Sequence, residues 1–272
     1  MREAVGASEL VWLAEGIACD LHLKSDLQQT EMEGTIALAL DGAPVDFAVQ
    51  PAEGRRKKLL IADMDSTIID QECIDELADE VGIKREVAAI TAMAMNGEIA
   101  FEPALRQRVA LLEGLDESVI DRLIRDRITI AAGACELVAT MNRDGAWTAL
   151  VSGGFDAFTA RIAAKLGFRE HRANRLLVKH GRLTGKVGEP ILGREAKAAA
   201  IREMAARLGI GLHETLAVGD GANDLDMLAL AGIGVALHAK PSVAAQARIR
   251  IDHGDLTALL YLQGYRREEF AS

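Results

Sequence analysis

Two short acidic segments of this chain place carboxylates directly after apolar runs. Asp63-Met64-Asp65-Ser66-Thr67 follows Leu59-Leu60-Ile61-Ala62, and Gly219-Asp220-Gly221-Ala222-Asn223-Asp224 follows Thr215-Leu216-Ala217-Val218. Side chains at the carboxyl ends of parallel strands meet at one edge of a sheet, where α/β proteins bind their ligands. Carboxylates gathered there repel one another unless a hard cation such as Mg²⁺ neutralises them. The pattern therefore predicts a divalent-metal site.

The first segment also suits a covalent reaction. Two neighbouring aspartates can act as nucleophile and as general acid/base, because their surroundings can separate their pKa values. An isolated Asp-x-Asp pair is more often a turn or a helix cap. The buried strand predicted before Asp63 favours a site.

The second segment superficially resembles a dinucleotide-binding loop. Asp224 stands where such a loop has its third glycine, and acids there would repel a pyrophosphate. As a metal loop the segment is coherent, since Asp220 and Asp224 supply hard oxygen ligands and the glycines permit a tight backbone. A plain polar turn is the alternative.

Two further groups could bind phosphate. Ser152-Gly153-Gly154 ends a predicted strand and opens onto a helix, where a hydroxyl and backbone N–H groups suit phosphate oxygens, although many strand–helix turns look similar. Lys197 lies in the first turn of a predicted helix, where a cation is unfavourable to the helix dipole. It is either a surface lysine paired with Glu195 or a neighbour, or a lysine that reaches a phosphoryl group.

Composition limits the class of protein. The chain has 272 residues and a net charge of −10, which opposes an extended nucleic-acid surface. The six histidines are scattered, and the three cysteines form no Cys-x-x-Cys pair, so a histidine or cysteine metal site is not indicated. We expect a protein of the reducing cytoplasm, without a signal peptide or a membrane span.

The order of elements predicts an α/β fold with a doubly wound, mostly parallel sheet. Residues 1–55 form a small N-terminal α/β module and linker, with strand-like pieces at Gly16–Leu23 and Val45–Val49. Residues 56–71 and 131–272 form the catalytic core. The roughly sixty residues of 72–130 exceed an ordinary strand–helix connection, and their helical periodicity predicts a cap over the site.

Taken together, these motifs resemble the haloacid-dehalogenase-like superfamily, because they occur in that superfamily's order. Within it, roughly residues 57–264 are similar to the phosphoserine phosphatase family. The supporting stretches include Ile90–Glu98, Leu105-Arg106-Gln107-Arg108-Val109, Ser152-Gly153-Gly154-Phe155, Ala173-Asn174, Leu183-Thr184-Gly185 and Ala239-Lys240-Pro241.

The resemblance implies a Mg²⁺-dependent hydrolysis of O-phospho-L-serine, the last step of serine biosynthesis, through an aspartyl-phosphate. Asp63 would be the nucleophile and Asp65 the general acid/base, with Lys197 as a further catalytic residue. Mg²⁺ would be bound by Asp63, the main-chain carbonyl of Asp65 and Asp220, supported by Asp224.

The remaining implied roles concern the substrate. Ser152, Gly153, Lys197 and Asn223 would hold the phosphoryl group. Glu72 would bind the substrate ammonium and Arg108 its carboxylate, although both could instead be solvated helix charges. Met95 and Phe101 would close over the site.

Several alternatives stay open at the level of sequence. One is a phosphotransferase or a phosphatase for another small phosphorylated metabolite, with the same chemistry. Another is a non-catalytic sensor of phosphorylated ligands, against which the presence of both Asp63 and Asp65 argues. We expect a small-molecule substrate and no nucleic-acid or membrane partner, and a homodimer is possible.

Overall fold

The structure is a computed structural model that describes residues 6–23, 28–95 and 98–271. The N-terminal segment contains an antiparallel hairpin and a helix. They are β1 (Ala7–Ala14), β2 (Ala18–Leu23) and α1 (Gln29–Leu40). The chain turns between the strands at Gly16, whose φ of 71° favours glycine.

The predicted strand at Val45–Val49 is wrong, because this stretch is irregular. Phe47 and Val49 pack against the buried Met32 and Ile36 of α1, so their apolar character serves a small core rather than a sheet. The carboxylate of Asp46 accepts hydrogen bonds from three successive backbone N–H groups of residues 252–254, at distances from 2.7 to 3.3 Å. These bonds attach the N-terminal segment to the main domain.

A six-stranded parallel sheet forms the centre of the main domain, in the order β10-β9-β8-β3-β4-β5. Its strands are β3 (Leu59–Ala62), β4 (Trp147–Phe155), β5 (Glu170–Asn174), β8 (Thr215–Gly219), β9 (Ile233–Leu237) and β10 (Ile249–Ile251). All four residues of β3 are inaccessible to solvent, which explains the unbroken apolar run in the sequence. The predicted fold class is confirmed.

Helices cover both faces of the sheet. They are α6 (Ala134–Arg143), α7 (Asp156–Leu166), α8 (Arg194–Leu208), α9 (Leu225–Leu230), α10 (Pro241–Ala244) and α11 (Ala258–Leu262). Along β3, Leu60 and Ala62 belong to one apolar cluster, whereas Leu59 and Ile61 belong to the other. This alternation gives the domain two cores, one on each side of the sheet.

Of the five helices that the structure describes between β3 and β4, the first four form what we call the helical insert. They are α2 (Cys73–Glu80), α3 (Lys84–Met95), α4 (Phe101–Ala110) and α5 (Ser118–Asp126). A second antiparallel hairpin, β6 (Leu176–Lys179) and β7 (Arg182–Val187), contacts the insert. Backbone hydrogen bonds join Leu183 to Gly114 and Leu115, so the loop after α4 is attached to the main domain.

One strand is longer than the sequence predicts. Ser152-Gly153-Gly154 belongs to β4, which continues to Phe155, rather than to a turn after it. The pairing of β4 with β5 is nevertheless interrupted between Val151 and Phe155. The prediction was wrong because the backbone stays extended through a stretch whose glycines favour a turn. In the described part of the chain, no helix is long and apolar enough to span a bilayer.

Candidate active site

The turn after β3 positions the first two aspartates. The N–H of Asp63 still bonds to the Val218 carbonyl of β8, so Asp63 extends the central strand by one residue. The Met64 carbonyl then accepts bonds from the N–H groups of residues 67, 68 and 69, and Ser66 has a φ of 55°, which together make a tight turn. Asp63 and Asp65 are consequently held, nearly buried, at the carboxyl end of the sheet.

Three of the predicted metal ligands meet at this end of the sheet. Carboxylate oxygens of Asp63, Asp220 and Asp224 all lie within 4.8 Å of one another, and the three residues are buried. A Cβ at residue 219 would lie 2.4 Å from Cγ of Asp224, so the close approach requires Gly219. Hard carboxylate oxygens in this arrangement fit a divalent cation.

Electrostatics favour a cation at the same place. Burial, followed by repulsion from Asp224, raises the pKa of Asp63 well above its ordinary value. The same two causes raise the pKa of Asp220 to about 7. Lys197 supplies one positive charge against three carboxylates, which leaves an excess of negative charge that a divalent cation would neutralise.

Lys197 is fully buried, so the alternative of a surface lysine paired with Glu195 is wrong. Its Nζ lies 2.6 Å from Oδ1 of Asp224 and 2.8 Å from Oδ1 of Asp63. Burial lowers the pKa of Lys197, but Asp224 and Asp63 outweigh it, and the net shift is upward. The lysine is therefore a fixed cation at the base of the site.

Asp65 has different surroundings from Asp63. Its Oδ1 accepts the Cys73 N–H at 2.8 Å, and its Oδ2 accepts the Ser152 hydroxyl at 3.1 Å. Burial and the nearby Glu72 raise the pKa of Asp65 to about 6, although the hydrogen bonds from Cys73 and Ser152 lower it. A carboxyl group with such a pKa can both give and take a proton near neutral pH.

The aspartates open onto a cavity of about 350 Å³ whose opposite wall belongs to the helical insert. Glu72 and Arg108 both line it. Oε1 of Glu72 accepts the Ser66 hydroxyl at 2.8 Å, and Nη1 of Arg108 donates to Oγ1 of Thr91 at 3.2 Å. Burial lowers the pKa of Arg108, while Glu72 and Asp75 raise it. Two opposite charges on one wall suit the ammonium and carboxylate of an amino acid.

Phe101 brings the insert into contact with the main domain. A Cβ at Gly153 would lie 3.3 Å from Cζ of Phe101, and one at Gly193 would lie 3.2 Å from its Cδ1. The ring therefore packs between two glycines, one on β4 and one directly before α8. This contact narrows the cavity at the edge of the insert.

Comparison with known proteins gives a consistent result. The family model described as haloacid dehalogenase-like hydrolase matches residues 60–229. A phosphoserine phosphatase of Albidiferax ferrireducens is 47% identical over 210 residues, which are 75% of this chain and 89% of that protein. One of Streptomyces coelicolor is 45% identical over 237 residues, covering 86% of this chain but 58% of that protein.

A solved structure described as a phospho-aspartyl intermediate analogue of phosphoserine phosphatase superposes with a TM-score of 0.71. It is 43% identical and covers 76% of this chain and 98% of that one. The chain belongs to the phosphoserine phosphatase family of haloacid dehalogenase-like hydrolases. It spans little more than half the length of the Streptomyces member.

In this member of the phosphoserine phosphatase family, most of the site residues that the sequence predicts lie around one cavity. The cavity is lined by Asp63, Asp65, Glu72, Phe101, Arg108, Ser152, Gly153, Asp220 and Asn223. Lys197 and Asp224 lie buried beneath the cavity. Lys197 forms ion pairs with both Asp63 and Asp224. Met95 ends α3, and its side chain lies outside the described part of the chain.

Other residues of the site were missed by sequence reasoning. Thr91 contacts Arg108 from a different helix, and no spacing in the sequence links them. Gly154 was predicted only as part of the phosphate-binding stretch, but a Cβ there would lie 2.6 Å from Oδ2 of Asp65, so this glycine also makes room for the carboxylate. Gly193 could have been suspected as a glycine immediately before a strongly helical run.

Proposed function

We propose that this chain hydrolyses O-phospho-L-serine to L-serine and inorganic phosphate in a Mg²⁺-dependent reaction. The observation that carries the proposal is a single cavity with two chemically different walls. Asp63 and Asp65 lie at the sheet end, whereas Glu72 lies directly before α2 and Arg108 lies on α4 of the helical insert. The first pair suits phosphoryl transfer and the second suits the amino-acid end of the substrate.

In the first step a carboxylate oxygen of Asp63 attacks phosphorus, the bond between phosphorus and the serine oxygen breaks, and Asp65 protonates that oxygen. The described contacts of the Asp63 carboxylate, from the Met64 N–H and Lys197, use Oδ1, which leaves Oδ2 for attack. The related structure of a phospho-aspartyl analogue supports this intermediate.

In the second step Asp65 takes a proton from water, whose oxygen attacks phosphorus, and the bond between phosphorus and Asp63 breaks. Phosphate leaves, and both aspartates return to their starting state. The pKa of about 6 at Asp65 supports this dual use.

The phosphoryl group is held by groups that converge on the sheet end. They are the Ser152 hydroxyl, the Gly153 N–H, Lys197 Nζ and the Asn223 side chain. The closeness of Gly153 and Asn223 supports this assignment for these two residues, since a Cβ at Gly153 would lie 3.8 Å from Nδ2 of Asn223. Phosphoryl transfer depends mainly on such positioning and on charge neutralisation.

Mg²⁺ is held by Asp63, the Asp65 carbonyl and Asp220, with Asp224 in support. When bound, it neutralises charge on the phosphoryl oxygens and on the carboxylates. The buried carboxylate cluster supports this assignment. On the insert, Phe101 closes the cavity against water.

Phosphate release from a panel of phosphorylated amino acids and sugar phosphates, with Mg²⁺ and with EDTA, tests the proposal. We expect fast turnover of O-phospho-L-serine, abolished by EDTA and restored by Mg²⁺. Faster turnover of a sugar phosphate would refute the substrate. Full activity in EDTA would refute the metal requirement.

A further inference from the structure

The Asn174 side chain connects two separate parts of the site. It lies at the end of β5 and is 1% exposed. Its Nδ2 donates to the Gly153 carbonyl at 2.8 Å and to the Leu192 carbonyl at 3.0 Å, and its Oδ1 accepts the Leu192 N–H at 2.6 Å. Both amide hydrogens and the amide oxygen are thus used, each on the backbone.

On the first side, the contact lies where the register of the sheet is irregular. Regular pairing of β4 with β5 is interrupted between Val151 and Phe155, the interval that contains the phosphate-binding stretch Ser152–Gly154. The carbonyl of the half-buried Gly153 takes a hydrogen bond from the Asn174 side chain. This bond fixes the orientation of the peptide units next to the Gly153 N–H.

On the second side, the contact fixes the start of α8. Leu192 directly precedes Gly193, and the Gly193 carbonyl accepts the Lys197 N–H in the first turn of the helix. Since Asn174 bonds both backbone groups of Leu192, it holds the origin of the helix that carries Lys197. One amide therefore sets the distance between the β4 backbone and the buried lysine.

We propose that Asn174 is a positioning residue for phosphate binding. It holds the Gly153 backbone and the start of the helix that carries Lys197 at a fixed position relative to each other. The inference rests on the proposed function, in which these two groups bind the phosphoryl oxygens. It also explains the residue type. An aspartate of the same shape would present oxygen to both the Gly153 and the Leu192 carbonyls, which repels them.

The test compares Asn174→Asp with Asn142→Asp in the Mg²⁺-loaded protein. Asn142 is a matched control, because its Nδ2 also donates to a backbone carbonyl, that of Gly167, at 2.7 Å, and it does not line the cavity. Calorimetry gives the Kd for inorganic phosphate, and competition assays give the inhibition constant for L-serine. Thermal unfolding shows that each variant is folded.

We expect Asn174→Asp to raise the phosphate Kd by about tenfold or more, from the loss of two hydrogen bonds. The inhibition constant for L-serine, whose binding groups lie on the insert, changes by less than about twofold. Asn142→Asp leaves both constants unchanged, whatever its effect on stability. If Asn174→Asp does not fold, Asn174→Ala is subjected to the same comparison.

An unchanged phosphate Kd in a folded Asn174 variant would overturn the inference, and so would an equal loss of phosphate and serine affinity. A wild-type protein that binds phosphate but does not turn over phosphoserine would refute the proposed substrate instead. In that case the phosphate Kd still decides the role of Asn174.

Discussion

Four buried charged side chains meet at the base of the site: Asp63, Asp220, Asp224 and Lys197. A buried charge is tolerated where an opposite charge compensates it. Removal of one partner leaves the other charge buried and uncompensated, which destabilises the folded state. Lys197 compensates Asp63 and Asp224 through direct ion pairs, whereas Asp220 accepts a hydrogen bond from the Thr67 hydroxyl at 3.3 Å and would be neutralised further by the cation that we propose. Substitutions of the individual residues should therefore differ in their effects on activity and on stability.

Asp63→Asn separates chemistry from folding. The amide has nearly the same shape, but it cannot form the aspartyl-phosphate, so we expect kcat to fall by at least about a thousandfold. It also removes one charge from a repulsive cluster, so the melting temperature should not fall sharply. Phosphate release and thermal unfolding measure the two effects. The control is Asp126→Asn, at an exposed aspartate paired with Arg125; substantial activity in Asp63→Asn would contradict the mechanism.

Arg108→Ala tests substrate selection. A charged hydrogen bond to the substrate carboxylate is lost, and we expect KM for phosphoserine to rise by about ten- to a hundredfold. O-phosphoethanolamine, which lacks that carboxylate, should show a much smaller change. Arg125→Ala, on an exposed part of the insert, serves as the control. Equal increases for the two substrates would exclude the assigned role.

At the scale of elements, the buried strands were predictable because burial on both faces leaves an apolar run in the sequence. The apolar run at Ile233–Leu237 and the amphipathic pattern at Arg194–Leu208 predict a strand and a helix, and β9 and α8 have these bounds. β5 was missed, since Glu170–Asn174 is a polar strand at the sheet edge. The same limitation made Val45–Val49 look like a strand, because an apolar pattern does not reveal which partner the residues pack against.

The site shows a similar division. Asp63 and Asp220 could be placed from sequence because each follows a strand whose position in the sheet fixes it. Contacts across the cavity could not be predicted from the sequence, since they depend on how the insert packs on the sheet. The bond between Arg108 and Thr91 and the position of Phe101 over Gly193 both belong to that class.

Gly193→Ala tests the contact between insert and main domain. The backbone at Gly193 has a φ of −112°, which alanine adopts freely, but the new methyl group would press on the Phe101 ring. We expect KM to rise several-fold with little loss of thermal stability. Gly34→Ala, at a helical glycine with open space around it, is the control. Unchanged kinetics would show that turnover does not require the Phe101 ring to pack against residue 193.

At the scale of the whole molecule, the buried carboxylates of the site couple stability to pH. Without metal, the folded-state pKa values of about 6 at Asp65 and about 7 at Asp220 lie above the ordinary value of 3.8. The folded state therefore holds protons that the unfolded state releases. The stabilisation is present below the unfolded pKa and is lost as pH rises through the folded values.

Mg²⁺ should counteract the part of that loss that comes from Asp220, because it binds the deprotonated form of this carboxylate. We expect the rise in melting temperature caused by Mg²⁺ to be larger at about pH 8 than at about pH 5. Thermal unfolding with Mg²⁺ and with EDTA at both values measures the difference. An equal shift at the two pH values would argue against binding by this cluster.

The bonds from residues 252–254 to Asp46 have a consequence for exchanging parts between family members. Successive backbone N–H groups that converge in this way form a nest for an anion. In this chain the anion is a side chain from the N-terminal segment. A chimaera that joins another member's N-terminal segment to this main domain must therefore supply a carboxylate at the same point, or these three N–H groups lose their acceptor.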